Sequence, residues 1–296
     1  MDQSDQQEES GLTEELERAE GLLVQGEDEL AVELLAHLAE DVEEYVDKNC
    51  ITTDEVQWFS FPTLFERLAY RRVENDPREL RDVGEPFSRL YADLGYACVR
   101  TDDYASAAAA LKQAVRWNPM DCASRLNLAD LYRIDGYVQE YLALTYSVFE
   151  RASDARHLAR AYTNFAGWFQ SNEKPRTAAA ALRAARRLEV RDSSVQAVLD
   201  EASGTDHDPD RVNDKQMEEL LAEEGLPAGA NAEIAVCLLM CAIDAYDAQD
   251  QYTAANLMVR ARDLVGEPAM KALLELIRTT DDGSGGEGDS DASAGA

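Results

Sequence analysis

Apolar residues recur three and four positions apart along most of this chain, as at Leu30, Leu34, Leu35 and Leu38, and no convincing run of alternating β-branched residues interrupts them. That pattern predicts an all-α protein. Helices are expected in pairs separated by short polar turns. Residues 12–24 and 28–46 flank Gln25 and Gly26, and later turns fall at Thr101, Asp102 and Asp103, at Asp135 and Gly136, and at Ser171 and Asn172. Asp102 or Asp103 is placed to cap the helix that follows, and Pro175 suits the first turn of another, where its missing N–H costs nothing.

Within the central stretch the apolar positions repeat. Tyr91, Leu94 and Gly95 are followed by Ala107, Leu111, Ala114 and Pro119. Leu128, Ala129 and Tyr132 stand 34 residues after Leu94, Gly95 and Cys98. Phe165 and Ala166, with Tyr162 and Phe169 before Ala178, Leu182 and Ala185, stand 71 after Leu94 and Gly95, so three extra residues enter near 150–156. The spacing resembles the tetratricopeptide repeat, a 34-residue helix pair. The resemblance implies a right-handed α-solenoid of antiparallel helix pairs that presents a groove to another molecule. It covers about 105 residues well (residues 88–121, 122–157 and 159–192). Tyr141 stands where a small residue is usual and is expected to push its two helices apart or shift their register.

The predicted organisation is an acidic tail at 1–10, an acidic helical pair at 11–50 and an aromatic-rich insertion at 51–86. Core repeats at 87–200, a linker at 201–213, a helical pair with cap at 214–278 and an acidic tail at 279–296 complete it. Both tails are expected to be disordered, because Gly, Ser and acids leave nothing to bury. Within the insertion, the sequence around Trp58, Phe59, Phe61 and Phe65 predicts a helix ending before Pro77 and an irregular connection. Residues 235–246 and 252–265 resemble a further repeat, with 270–277 as a capping helix. The layout is similar to that of bacterial tetratricopeptide proteins without an assigned activity, so it brings no activity with it.

Charge narrows the partners. The formal net charge is −31, and residues 1–50 hold seventeen acids against only Arg18 and Lys48. Such a surface repels nucleic acid and anionic lipid, so neither is expected as a partner. Twenty-three of the 28 basic residues are Arg, which resembles a salt-adapted or a high-GC proteome; a salt-adapted chain loses helicity as salt is dialysed away. No apolar run reaches membrane-spanning length, and MDQSDQQEES has neither the basic nor the apolar region of a secretory signal. Cys50, Cys98, Cys122, Cys237 and Cys241 form an odd set without paired spacing, as reduced thiols in a cytoplasm would. A cytoplasmic location is therefore expected.

In the family that the repeats resemble, the first helix of each pair faces the concave groove. Carried over, this implies partner-binding roles for Arg89, Asp93, Tyr96 and Arg100, for Asn127, Asp130 and Arg133, and for Arg160, Asn164 and Gln170. Asn127 and Asn164 stand two residues after the signature aromatic position, where family members place an amide that bonds a peptide backbone; alternatively they solvate a helix face. An amide offers both donor and acceptor. Residues 151–191 carry nine basic and three acidic residues. This island can bind an acidic peptide or a terminal carboxylate, or it can dock the chain's own acidic N-terminal pair or tail.

Catalytic chemistry finds no support. His37, His157 and His207 lack metal-ligand spacing, and carboxylates are too numerous for any pair to be singled out as acid and base. Residues 283–288 are glycine-rich but lack the Lys and Ser/Thr of a phosphate loop. Asp206, Asp208 and Asp210 begin like a calcium loop, yet Arg211 and Met217 stand where that loop needs Gly and Glu. No cofactor or metal is expected. The expected function is a non-enzymatic scaffold or adaptor that binds a peptide or protein partner of unspecified identity in a concave groove. The alternatives are an assembly subunit that self-associates through the aromatic insertion and a transcription-regulatory protein; oligomeric state is left open.

Overall fold

The computed structural model describes residues 10–284; residues 1–9 and 285–296, and with them most of the two expected tails, lie outside the described residues. Fourteen α-helices make up 74% of it, so the protein is all-α. Helices α1 (Ser10–Gln25) and α2 (Asp28–Asn49) form the first hairpin. Strand β1 (Val56–Phe59), helix α3 (Leu64–Glu74) and strand β2 (Glu79–Asp82) form the insertion. Three hairpins follow: α4 (Phe87–Arg100) with α5 (Tyr104–Trp117), α6 (Cys122–Ile134) with α7 (Val138–Arg151), and α8 (Ala155–Ser171) with α9 (Pro175–Arg187). Then come α10 (Ser193–Ala202), a 3-10 turn (Pro209–Arg211), α11 (Asp214–Glu223), α12 (Ala232–Asp247), α13 (Gln251–Val265) and α14 (Glu267–Ser284).

Several helices start where an aspartate caps them. Asp103, rather than Asp102, accepts from the Ser106 N–H; Asp121 accepts from Ala123 and Ser124, Asp154 from Arg156, and Asp192 from Ser194 and Val195. Each satisfies backbone donors that the first helical turn leaves without partners. Asp102 instead takes the left-handed turn position, with φ 61°. Pro175 opens α9 as expected.

Inside the first repeat the two helices approach most closely at Gly95. A Cβ built there would lie 2.7 Å from Cγ of Leu111, closer than real Cβ atoms come. Ala129 and Ala166 take the equivalent place in the next two hairpins, and both are buried. The second helix of each hairpin packs on the first helix of the next, α5 on α6 and α7 on α8, while α2 packs on α4. The acidic N-terminal pair therefore joins the array directly, with the insertion looped out between α2 and α4.

The three additional residues of the third repeat go into helix. The link before α6 runs from Asn118 to Asp121 and that before α8 only from Ala152 to Asp154, but α8 has 17 residues where α6 has 13. Tyr141 does not end as a wedge against its own partner helix alone: it is buried, and its hydroxyl donates to the Asn164 carbonyl on α8 at 2.9 Å.

Elsewhere the structure departs from the pattern. The insertion contains the expected helix, α3, which ends before Pro77, but the chain around it is a parallel β–α–β unit, with Val56 paired to Glu79 and Phe59 to Asp82, rather than an irregular connection. Two four-residue strands are too short for alternation to register, and their partners lie far apart in sequence. The stretch at 201–213 contains the 3-10 turn and buried Val212, so it is packed chain rather than a free linker. The terminal helix α14 extends to Ser284, past the expected end of the cap. Helix α12 packs on α3, and α13 reaches α8. Phe59, Phe65 and Tyr70 share one core with Leu158, Phe165, Cys237 and Leu238, while α1 and α2 form a second core with Leu90, Tyr91 and Trp117.

Gly95→Val is expected to cost roughly 2 kcal/mol of stability through overpacking against Leu111. Gly167→Ala, in mid-helix with open space around its Cβ position, is expected to raise stability by up to about 1 kcal/mol. Chemical denaturation of both variants measures the contrast.

Candidate functional site

Helices α4, α6 and α8 carry the ten residues expected to line a groove, and their apolar faces explain why the polar ones are left over. Leu90, Tyr91, Ala97 and Cys98 of α4, and Leu158, Tyr162, Phe165 and Phe169 of α8, are buried in the hairpin cores. Helical periodicity then leaves Arg89, Asp93 and Tyr96, and likewise Arg160 and Asn164, off the buried stripe.

Between α6 and α8 the candidates meet. Arg160 Nη1 donates to Asn127 Oδ1 at 2.9 Å, and its Nη2 reaches Asp130 Oδ2 at 2.5 Å. Arg133 approaches the other oxygen of the same carboxylate at 3.6 Å. Gln170 is exposed nearer the C-terminal end of α8, beside a cavity of about 70 Å³ that also touches Gly167, Val198 and His207.

The α4 candidates turn instead to the N-terminal pair. Arg89 meets Glu20 of α1 at 2.6 Å, and Arg100 lies 2.8 Å from Asp28 of α2 with its guanidinium 5.7 Å from the centre of the half-exposed Tyr96 ring. Among the described residues no hydrogen bond or ion pair links the α4 candidates to those on α6 and α8. Glu20 and Asp28 are functional neighbours that the repeat spacing does not reveal. They belong to a different hairpin, and Glu20 is 69 residues from Arg89.

Two polar atoms on this surface are buried without a hydrogen-bond partner: Asp93 Oδ2 and Asn164 Nδ2. They occupy equivalent places, two residues after Tyr91 and Tyr162. Asn164 offers its main-chain carbonyl to Tyr141 and keeps its side-chain donor unused. Burial and, after it, the neighbouring Glu20 carboxylate push the Asp93 carboxyl up to about 7, with Arg89 opposing.

The basic island of 151–191 is mostly spent within the chain. Lys174 pairs with Glu224 at 2.7 Å, Arg183 with Asp214 at 2.7 Å and Arg186 with Asp210 at 2.6 Å, while Arg151 meets Glu74 and Glu150. With Arg160 on Asp130 of α6, its described partners lie on α3, α6, α7, the 3-10 turn and α11 or the residue after it, and the acidic N-terminal pair is not among them. Of those N-terminal acids, Glu20 and Asp28 meet Arg89 and Arg100 of α4. The aromatic insertion is also consumed internally: Phe59 stacks on Phe61 at 4.8 Å, and Arg260 covers Phe65 at 5.0 Å.

All five cysteines are buried and unpaired, and burial pushes the Cys122 thiol up to about 12. The three carboxylates of the calcium-like stretch do not converge, because Asp206 meets His207, Asp208 accepts from the Gly204 and Asp210 N–H groups, and Asp210 meets Arg186. Among the described residues no group of His, Cys, Asp and Glu is arranged to hold a metal ion, and no helix is long and apolar enough to cross a membrane. No protein-family model matches the chain, and no curated protein matches it at a significant level.

Asp93 should make stability fall with rising pH. Its folded pKa lies above the unfolded value of about 4, so the folded chain holds the proton more tightly; the stabilisation is full below about pH 4 and is lost as pH rises through about 7. Asp93→Asn, which installs the residue found at Asn127 and Asn164, is expected to raise the melting temperature at pH 8 and leave it nearly unchanged at pH 4. Thermal melts of both proteins across that range measure it, and a pH-independent difference contradicts the assignment.

Proposed function

We propose that the hairpins form a tetratricopeptide-type right-handed solenoid whose concave face, made by α4, α6 and α8, holds an extended peptide segment of a protein partner. The protein is a scaffold or adaptor without chemistry of its own, acting in the cytoplasm. The observation that carries this reading is the unpartnered buried donor Asn164 Nδ2, with Asp93, half-buried and sharing a hydrogen bond with Glu20, at the equivalent place on α4. Leaving such a donor unsatisfied costs about 1–3 kcal/mol. The carbonyl acceptors of a peptide backbone supply what the Asn164 donor lacks.

The surrounding geometry supports the same reading. Arg160, Asn127 and Asp130 hold one another in place, so they stiffen the α6–α8 floor and are less available to select a ligand. Arg89 and Arg100 are likewise tied to Glu20 and Asp28, which leaves Tyr96 as the exposed aromatic contact. Recognition here rests on backbone pairing and an aromatic surface. Self-association through the aromatic insertion finds no supporting observation, since Phe59 and Phe65 are buried within the chain.

Asn164→Ala tests the reading without the structural cost of removing Arg160. Peptides selected from a random displayed library against the native protein are expected to bind the variant at least about tenfold more weakly, a loss of about 1.4 kcal/mol. The variant itself should be slightly more stable, because an unsatisfied buried amide is gone and Ala favours the helix. Unchanged peptide affinity with raised stability would remove Asn164 from the binding surface.

A further inference from the structure

We infer that the protein has a second binding site, on the far side of the third repeat, that takes a short acidic peptide segment in an extended conformation. The site is a cleft of about 1030 Å³ between the end of α9 and the turn from α13 to α14. That size is at the upper end of the range for ligand pockets. It is separate from the groove proposed above, and its case does not depend on that groove.

Charge is the first argument. In a chain of net charge −31, most arginines are engaged by carboxylates or carbonyls, but Arg187 and Arg191 make no ion pair or side-chain hydrogen bond among the described residues, and both line this cleft. The carboxylates that share the cleft are largely neutralised by other cations. Asp154 is paired with Arg156 at 2.6 Å, Asp263 with Arg262 at 2.7 Å, and Glu267 with Lys271 at 2.5 Å. Glu189 alone stands against the two free guanidiniums, with Arg260, which bonds the Ser153 carbonyl, adding a further positive charge to the wall. A guanidinium offers a carboxylate two parallel N–H bonds.

The backbone is the second argument. Two irregular segments border the same cleft, residues 188–191 after α9 and residues 228–230 before α12. The main chain of Val190 and Arg191, and of residues 228–230, makes no hydrogen bond among the described residues. Such strips pair with an extended chain much as a sheet edge does. They are also fixed in position. Tyr162 donates to the Pro227 carbonyl at 2.9 Å, and Asn231 donates to the Glu150 carbonyl at 2.8 Å, so the second strip is tied to both α8 and the end of α7. Leu188, Val190, Leu264 and Val265 add apolar wall between the polar groups. Tyr162 is almost fully buried and leaves no aromatic face for a base to stack on, which favours peptide over nucleic acid.

A fluorescein-labelled hexapeptide of alternating aspartate and alanine is the probe, read by fluorescence anisotropy on the full chain at about 50 mM salt, where screening is modest. The native protein should bind it, and Arg187→Glu with Arg191→Glu should weaken binding at least about tenfold. Arg176→Glu, at an exposed and unpaired arginine on the same helix but outside the cleft, should leave affinity unchanged, as should Asn164→Ala in the separate groove. If charge reversal lowers the melting temperature, Arg187→Gln with Arg191→Gln replaces it, with the same loss expected. The proposal is overturned by no binding to the native protein, by equal losses in the Arg176 or Asn164 variants, by equal binding of a peptide with asparagine in place of aspartate, or by tighter binding of an oligothymidylate of similar length.

Discussion

A helical hairpin can bury one apolar seam between its own two helices, but the outer faces of those helices stay wet until another hairpin covers them. The rest of this structure depends on that second burial. The close approach at Gly95 and Leu111 brings the paired helices together, and the same small-residue site recurs at Ala129 and Ala166. Each hairpin then stacks its second helix on the first helix of the next. Because the apolar stripe of each first helix is committed to these seams, the residues left over on α4, α6 and α8 are largely polar.

Stacking leaves chain to be accommodated, and the structure places it at the edge of the array. The β–α–β insertion and the α12–α13 hairpin pack on each other around Phe65, Ala69, Ile234 and Leu238, and both adjoin the α7–α8 junction. The additional turn of α8 and the Ser153 contact of Arg260 meet there. This packing also creates the arginine-lined cleft, because it sets the α13–α14 turn against the end of α9.

Electrostatics follow from scarcity. With 28 basic residues against 59 acids, cations are the limiting partner, and the chain uses several of them as ties between elements: Arg89 and Arg100 to the N-terminal pair, Arg72 to Glu233 of α12, Arg183 to the start of α11 and Arg186 to the 3-10 turn. Exposed pairs of this kind contribute modestly to stability, typically about 0–1 kcal/mol each. Their larger consequence is selective. They quiet many of the positive sites on the surface, and of the arginines left without a partner Arg187 and Arg191 share one cleft.

Read alone, the sequence determined the local features. The 3.6-residue periodicity marked the helices, the spacing of Leu94 and Gly95 marked the repeat register through Phe165 and Ala166, and Asp103 and Pro175 marked helix starts, because each is set by interactions within a few residues of chain. The ten candidate residues were legible as the polar side of the first helices for the same reason. What they touch was not: Arg160 sharing Asp130, Arg89 held by Glu20, and the unpartnered atoms of Asp93 and Asn164 arise only when distant helices are packed. The parallel pairing of β1 with β2, the docking of α12 on α3 and the cleft at Arg187 were likewise decided by tertiary structure. Contacts between segments far apart in sequence depend on shape and residual charge, and those emerge only after the local elements have formed and stacked.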